Sequence, residues 1–475
     1  MKDLTQDSIV GHILAMAAPI AAGMIFQTLY LLVDLYFVAS LGETAVAGVG
    51  AAGTIMMIVM ALTQVLGVGA VALISQAAGR KDRDDANLIF NQSILFSAVC
   101  AAITLVGGYA VADVYVRAIA ADGPTIDAGK TYLHWFLPGL AMQFALVTMG
   151  SALRGTGIVK PAMVVQVITV VLNTILAPVL IVGWGTGIAL GVAGAGLAST
   201  LSIGTGVVLM SLYFVKLEKY VAFDRHLWRP RFQTWKRMLD VGLPAGGEFA
   251  MMFIYMAVVY GVIQQFGAAA QAGFGIGGRV MQSVFLPGMA IAFAAGPIAG
   301  QNFGAGLPHR VRETFYKAVL LNSIVMVAIM AFLQWRAEVL VSPFSTDAEV
   351  LAVGSTFLMI ISWNFVTQGI IFTCSGVFQG LGNTRPALLS SAIRLALFVP
   401  LAFWLSGRSG FALEQVWHLS VATIVLQAVV SCLLMQREFR RKLHGLQPAI
   451  TPVPAGPDGL IDGVSAEVAE LTETQ

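Results

Sequence analysis

Charge is what this sequence has least of. Only 11% of its 475 residues are Asp, Glu, Lys or Arg, against about a quarter in an ordinary soluble domain, which excludes a water-soluble globular chain. Cysteine is scarce too. Cys100, Cys374 and Cys432 each stand inside an apolar run, with no Cys-x-x-Cys pair and no His at ligand spacing, so neither a disulfide frame nor a zinc site is expected. The net charge is +2 and the basic residues form no patch, which gives no footprint for nucleic acid. GAGLAS and GIGG lack the preceding strand and the Lys-Ser/Thr ending of a nucleotide loop and read as close-packing surfaces between helices. There is no nucleophile triad, metal-ligand spacing or paired cytosolic carboxylates, so no enzyme is expected. The N-terminus lacks a short apolar core followed by a small-residue cleavage site, so no cleaved signal is expected.

What is present is apolar length. Hydrophobic residues make up 57% of the chain and the mean hydropathy is +0.82. A bilayer crossing needs about 20 apolar residues, and twelve such segments can be placed, at 13–38, 45–75, 88–112, 131–153, 161–183, 193–215, 240–263, 268–300, 314–334, 355–379, 386–406 and 417–436. Helices satisfy their own backbone groups in lipid, so each is a predicted spanning helix. With the N-terminus inside, the inner loops and tails hold about twenty Lys and Arg and the outer loops about four. The positive-inside rule then puts both termini in the cytoplasm.

The most polar internal stretch, KLEKYVAFDRHLWRPRFQTWKR at 216–237, is the natural linker between two halves. Its basic residues, with Arg80, Lys81 and Arg83, read as topology anchors. A shift of 225 residues across the linker pairs Pro19 with Pro244, Gly42 with Gly267, Gly48 with Gly273, Gln76 with Gln301 and Gly79 with Gly304. The same shift pairs Gln143 with Gln368, and RGTGIVKPA with QGLGNTRPA. The expectation is an all-α polytopic membrane protein of twelve transmembrane helices in two pseudo-symmetric six-helix bundles. These are an N-terminal half at 1–215, the linker at 216–237, a C-terminal half at 238–437 and a disordered tail at 438–475. Six helices per repeat give both halves the same orientation, with binding near the midplane and access alternating by rocking of one half against the other. No filter-like loop points to a channel.

These residues carry a resemblance that runs over about 4–437. Pro19 stands fifteen residues before Asp34; then follow ASLGETAVAGVG, ISQAAGRKDRDDA, the RGTG and QGLG turns, GLPAGGE and AGQNFGAG. In these the chain resembles the multidrug and toxic compound extrusion (MATE) family of bacterial transporters. The resemblance implies an antiporter that exports organic, often cationic, compounds in exchange for H+ or Na+, with no other cofactor. Membrane lipid and small organic substrates are its expected partners, and a monomer its expected state. The alternative is a lipid-linked oligosaccharide flippase of the same superfamily, although this chain has few intramembrane basic residues to hold a pyrophosphate.

Asp34 is expected about four turns into the first helix, near mid-depth, where a carboxylate costs several kcal/mol unless paired, hydrated or protonated. It is a candidate proton site or sodium ligand, and it falls on the family's first-helix acid. Asn173 matches the family's polar partner of that acid; it could share a Na+ with Asp34, or act as interhelical glue. Some members carry a second acid where this chain has Ala177. Glu248, one turn after Pro244, is a second coupling acid or a binder of cationic substrate, or alternatively an acid favoured by a helix N-terminus. Another branch's acids would fall at Met252 and near Gln368, where this chain has none. Arg279, Arg394 and Lys317 are the basic residues expected inside the membrane, where they snorkel or pair or, alternatively, bind substrate, Arg279 being a candidate partner for Glu248. Met252 and Tyr255, beyond Glu248 on a helix rich in Met and aromatics, are substrate-pathway candidates, as are Tyr30, Gln143 and Gln368. Asp34 and Asn173 have no counterpart in the second half, where Val259 and Phe398 stand. Coupling is therefore expected chiefly through Asp34.

Overall fold

The computed structural model describes residues 1–119, 122–344 and 347–446, and the regular structure in them is helical. The first half contains α1 (Ile9–Ala39), α2 (Glu43–Gly79), α3 (Arg83–Ile119), α4 (Gly123–Gly155), α5 (Lys160–Ala177) and α6 (Val192–Lys216). The second contains α7 (Phe232–Ile263), α8 (Ala268–Gly304), α9 (Pro308–Val341), α10 (Ala348–Ser362), α11 (Asn364–Gly380), α12 (Arg385–Ser406) and α13 (Leu413–Leu443). Eleven described helices are long and apolar enough to span, and α10 with α11, bent by 57° at Trp363, makes a twelfth. The chain is a multi-pass membrane protein with the all-helical architecture its composition predicts.

The thirteenth helix arises from a break with a counterpart in the first half. Trp363 corresponds, under the 225-residue shift, to Pro138, which lies inside the continuous α4. Proline removes one backbone donor and bends a helix, so one half interrupts the ladder at this depth with a residue and the other with a break.

The repeated glycines have a geometric cause. Gly42 and Gly267 precede α2 and α8 with φ of 102° and 87°, and Gly157 and Gly382 close the RGTG and QGLG turns with φ of 79° and 68°. Side chains with a Cβ rarely adopt these angles.

The N-terminal residues, the linker and the C-terminal end of α13 lie at one end of the bundle, called here the basic end. The linker is not a free tether. Arg83 donates to the carbonyls of Lys219 and Tyr220, and the buried amides of Asn91 and Gln92 hold the backbone of residues 222–231 through five further bonds. Residues 438–443, expected in a disordered tail, are helical instead. α13 continues to Leu443, because Arg441 and Lys442 pair with buried Glu438 at 3.0 and 3.5 Å and suit the negative end of the helix dipole. Residues 447–475 lie outside the described residues.

The halves are interlocked. α1 packs against α5 of its own half and α8 of the other, and α7 packs against α12 of its own half and α2 of the other. α7 and α8 scarcely touch. At the basic end α2 and α8 cross with no room for side chains: a Cβ on Gly79 would strike the Gln301 carbonyl, and one on Gly304 the Gln76 carbonyl. These two contacts are related by the repeat, so this crossing lies on the pseudo-two-fold axis.

Candidate functional site

α1 carries Tyr30 and Asp34 one turn apart. It begins at Ile9, where Ser8 accepts from the Gly11 amide, and runs 31 residues. Asp34 therefore lies five residues before the helix end at Ala39, closer to the far end than the mid-depth expected from sequence. The apolar run at 13–38 already put it four residues from its end, and the helix extends one residue beyond that run. Its carboxyl is 7% exposed, and Oδ1 is buried with no hydrogen-bond partner. Tyr30 and Tyr132 stand within electrostatic reach of it, and the Tyr30 hydroxyl donates to Ser199 Oγ of α6 at 2.6 Å.

Asn173 is on α5, the partner helix of α1, fully buried, and neither its oxygen nor its nitrogen has a hydrogen-bond partner. It is not interhelical glue in this conformation, and no hydrogen bond joins it to Asp34. Two buried polar groups on facing helices thus stand unsatisfied in one half. An orphaned buried polar group costs about 1–3 kcal/mol, and a charged one more, so both side chains are held at a cost in this conformation. Just beyond Asn173, Ala177 leads into a single π-turn at Pro178–Val182, a form of local unwinding that recurs at functional sites.

The second half is arranged differently. Glu248 lies sixteen residues into α7, which starts at Phe232, so the expected alternative of an acid near a helix N-terminus is ruled out. Its Oε2 accepts from Ser375 Oγ of α11 at 2.9 Å. Among the described residues no ion pair joins it to Arg279, and the physical reason is that α7 and α8 diverge, leaving Arg279 exposed on α8. Lys317 pairs instead with Glu313, one turn away, at 2.5 Å. Tyr255 shares a hydrogen bond with Ser420 of α13 at 2.7 Å, and the guanidinium of Arg394 lies over its ring, 4.4 Å from the centroid. Met252 is 52% exposed. Gln143 and Gln368 are partly buried and are not brought to either acid by any described hydrogen bond.

Sequence reasoning missed the closure of the basic end. Gln76 Nε2 donates to the Gly380 carbonyl at 2.8 Å, and Gln301 Nε2 donates to the Gly155 carbonyl at 3.1 Å. Each glutamine reaches into the conserved-register turn of the opposite half, and the two bonds are images under the 225-residue shift. A strap at residues 2–7 adds to them. The Lys2 amide donates to the Thr156 carbonyl of the first half, while Leu4, fully buried, donates to Gln301 Oε1 at 3.0 Å and accepts from Asn302 at 3.2 Å. Arg310 of α9 holds the carbonyls of Gln6 and Asp7, each at 3.0 Å. The repeat register was the signal for the two glutamines; nothing in the sequence marked the strap.

The two-fold register, the site confined to one half and the closed end can be set beside known proteins. The profile of the MatE family matches residues 19–179 and 244–404. This chain belongs to the MatE family. Its members are transporters, so this protein is a transporter and not an enzyme. The two matched stretches have the same length and the same 225-residue offset as the repeat.

Multidrug export protein MepA of Staphylococcus aureus (strain NCTC 8325 / PS 47) is 23% identical over 85% of this chain and 88% of its own length. Its namesake in Staphylococcus haemolyticus (strain JCSC1435) is 23% identical over 88% of this chain and 92% of its own. A solved structure described as the outward-facing conformation of a multidrug resistance MATE family transporter of the MOP superfamily superposes with a TM-score of 0.87. It is 24% identical and covers 93% of this chain and 98% of its own. Fold and family agree with the sequence.

Proposed function

We propose that this protein exports organic compounds, often cationic ones, across a bacterial plasma membrane in exchange for H+ or Na+, with Asp34 as the principal coupling acid. The observation that carries the reading is the pair of orphaned groups, the Asp34 carboxyl and the Asn173 amide, buried in the first half and absent from the second. The names of the MepA relatives support the substrate class, and the excess of Lys and Arg at the basic end supports termini in the cytoplasm.

The mechanism follows from linkage. A ligand shifts a two-state carrier only by the difference in its affinity for the two states. In the conformation seen here the basic end is held shut by the crossed glutamines and the strap, so the substrate path opens at the far end, near which Asp34 lies. A proton or sodium ion entering from that side would relieve the buried carboxylate. The conformation that binds it best is then favoured, and organic substrate leaves as the ion enters. Return requires the glutamine bonds to break and the basic end to open. Glu248, held by Ser375, modulates this cycle or contacts substrate. Reconstituted vesicles with a sodium gradient and a pH gradient imposed separately test the reading. Movement of a cationic dye under one of them, lost in Asp34→Asn, is expected. A wild-type protein that moves no dye under either gradient would end it.

A further inference from the structure

The register that pairs the two halves also pairs their interior pockets, and the pairing inverts the charge. In the first half Tyr30 and Asp34 on α1 belong with Thr169 and Asn173 on the facing α5; the equivalent residues are Tyr255 and Val259 on α7 with Arg394 and Phe398 on α12. Both tyrosines are bonded to a serine of the last helix of their half, Ser199 and Ser420. The shell is shared, but one half keeps a carboxyl and an amide where the other keeps a guanidinium and a phenyl ring.

We propose that the C-terminal pocket around Arg394 is a second binding site, one that takes the anionic group of an organic molecule, a carboxylate, sulfonate or phosphate carried on a flat apolar body. The proposal rests on reading the chain as a carrier of organic compounds. Arg394 is the tenth residue of the 22-residue α12, so each helix end is roughly 14–18 Å away. A guanidinium side chain does not snorkel that far. Its Nε is buried without a hydrogen-bond partner, and no described carboxylate forms an ion pair with it. Glu248, the acid on the facing helix, stands two turns from Tyr255 and is held by Ser375.

The guanidinium lies over the Tyr255 ring, and its unpartnered Nε–H is the donor left for an oxyanion. Phe398 closes the wall, its ring 4.8 Å from that of Tyr255. Met256, next to Tyr255 on α7, packs in the same apolar cluster as Phe398, and pliable methionine suits varied apolar bodies. With Asp34 on one side of the molecule and Arg394 on the other, the carrier is equipped for zwitterionic or anionic aromatics as well as for cations.

The test uses the full-length protein in lipid nanodiscs and two dyes, anionic fluorescein and cationic ethidium, followed by fluorescence anisotropy. Arg394→Gln is expected to weaken fluorescein binding at least about tenfold, the loss of one charge-assisted contact, and to leave ethidium binding unchanged. Wild-type protein that does not bind fluorescein, or an equal loss for both dyes, would overturn the proposal. If Arg394→Gln does not survive purification, Arg394→Lys decides. It keeps the charge without the fork, so a several-fold loss confined to fluorescein supports the site and unchanged or parallel affinities refute it. Nanodiscs of phosphatidylcholine alone and with phosphatidylglycerol separate the sources of the anion. Equal fluorescein affinity in both assigns a soluble organic anion, and displacement by phosphatidylglycerol assigns a lipid headgroup. Dye transport by wild type is measured apart, so failure of the efflux reading is visible independently of the Arg394 result.

Discussion

Replacing Gln301 by alanine should open the basic end, and more so than the same change at its repeat partner. Gln301 is 1% exposed and makes two bonds between the halves, donating to Gly155 and accepting from the Leu4 amide. Truncation removes both and leaves a buried carbonyl and a buried N–H without partners. At about 1–2 kcal/mol for each orphaned group, the closed conformation loses about 2–4 kcal/mol. Converted by RT ln K, that is a shift of about 30- to 1000-fold in the equilibrium between closed and open. Gln76 makes one bond between the halves, to Gly380, so Gln76→Ala should shift it by about a third to a half as much in free energy. The assay is pulsed electron spin resonance between nitroxides at Asp84 and His309, both exposed at the basic end, with Cys100, Cys374 and Cys432 replaced by serine or alanine. A longer-distance population should grow from Gln76→Ala to Gln301→Ala. Wild-type distances in both variants, or a larger effect at Gln76, would refute the latch.

Deleting residues 2–7 should produce a similar opening, because it removes the Lys2, Leu4, Gln6 and Asp7 contacts with Thr156, Gln301, Asn302 and Arg310; unchanged spin-label distances would count against the strap. Gly79→Ala and Gly304→Ala should lower thermal stability by similar amounts in a fluorescence-detected melting series, since each sets a Cβ against a glutamine carbonyl at the same two-fold crossing; unequal effects would show that the crossing is off the axis. Trp417→Ala should be among the most destabilising core changes, by about 3–5 kcal/mol, because the ring is 1% exposed and packs on Phe274 and Phe357 with centroids at 5.3 and 4.8 Å. A melting curve like that of wild type would contradict it.

The scaffold was legible because lipid leaves few alternatives. Twelve apolar runs, the basic bias of one set of loops and the 225-residue register together demand two bundles related by a two-fold axis, and the glycines at 42, 157, 267 and 382 mark where the backbone needs left-handed angles. Asp34 and Asn173 were legible for the same reason, since polar groups inside apolar helices announce themselves. Helix ends were less so. α1 and α7 begin four and eight residues before their apolar runs, and the second of these sets Glu248 away from a helix N-terminus. Partnerships were hardest to see, because they depend on which helices diverge: Glu248 met Ser375 and not Arg279, and Arg394 met Tyr255. The strap was invisible because its six residues bond mainly through backbone groups, which every sequence possesses.

The central claim is that coupling runs chiefly through Asp34, with Glu248 secondary. It is tested by one series in proteoliposomes, with ethidium movement measured under a sodium gradient and, separately, under a pH gradient, for wild type, Asp34→Asn and Glu248→Gln. Wild type should respond to at least one gradient. Asp34→Asn should lose at least about 90% of that response, as expected when the group that binds the ion is neutralised, while Glu248→Gln should keep a gradient-driven fraction. Full loss in Glu248→Gln with transport surviving in Asp34→Asn would contradict the account.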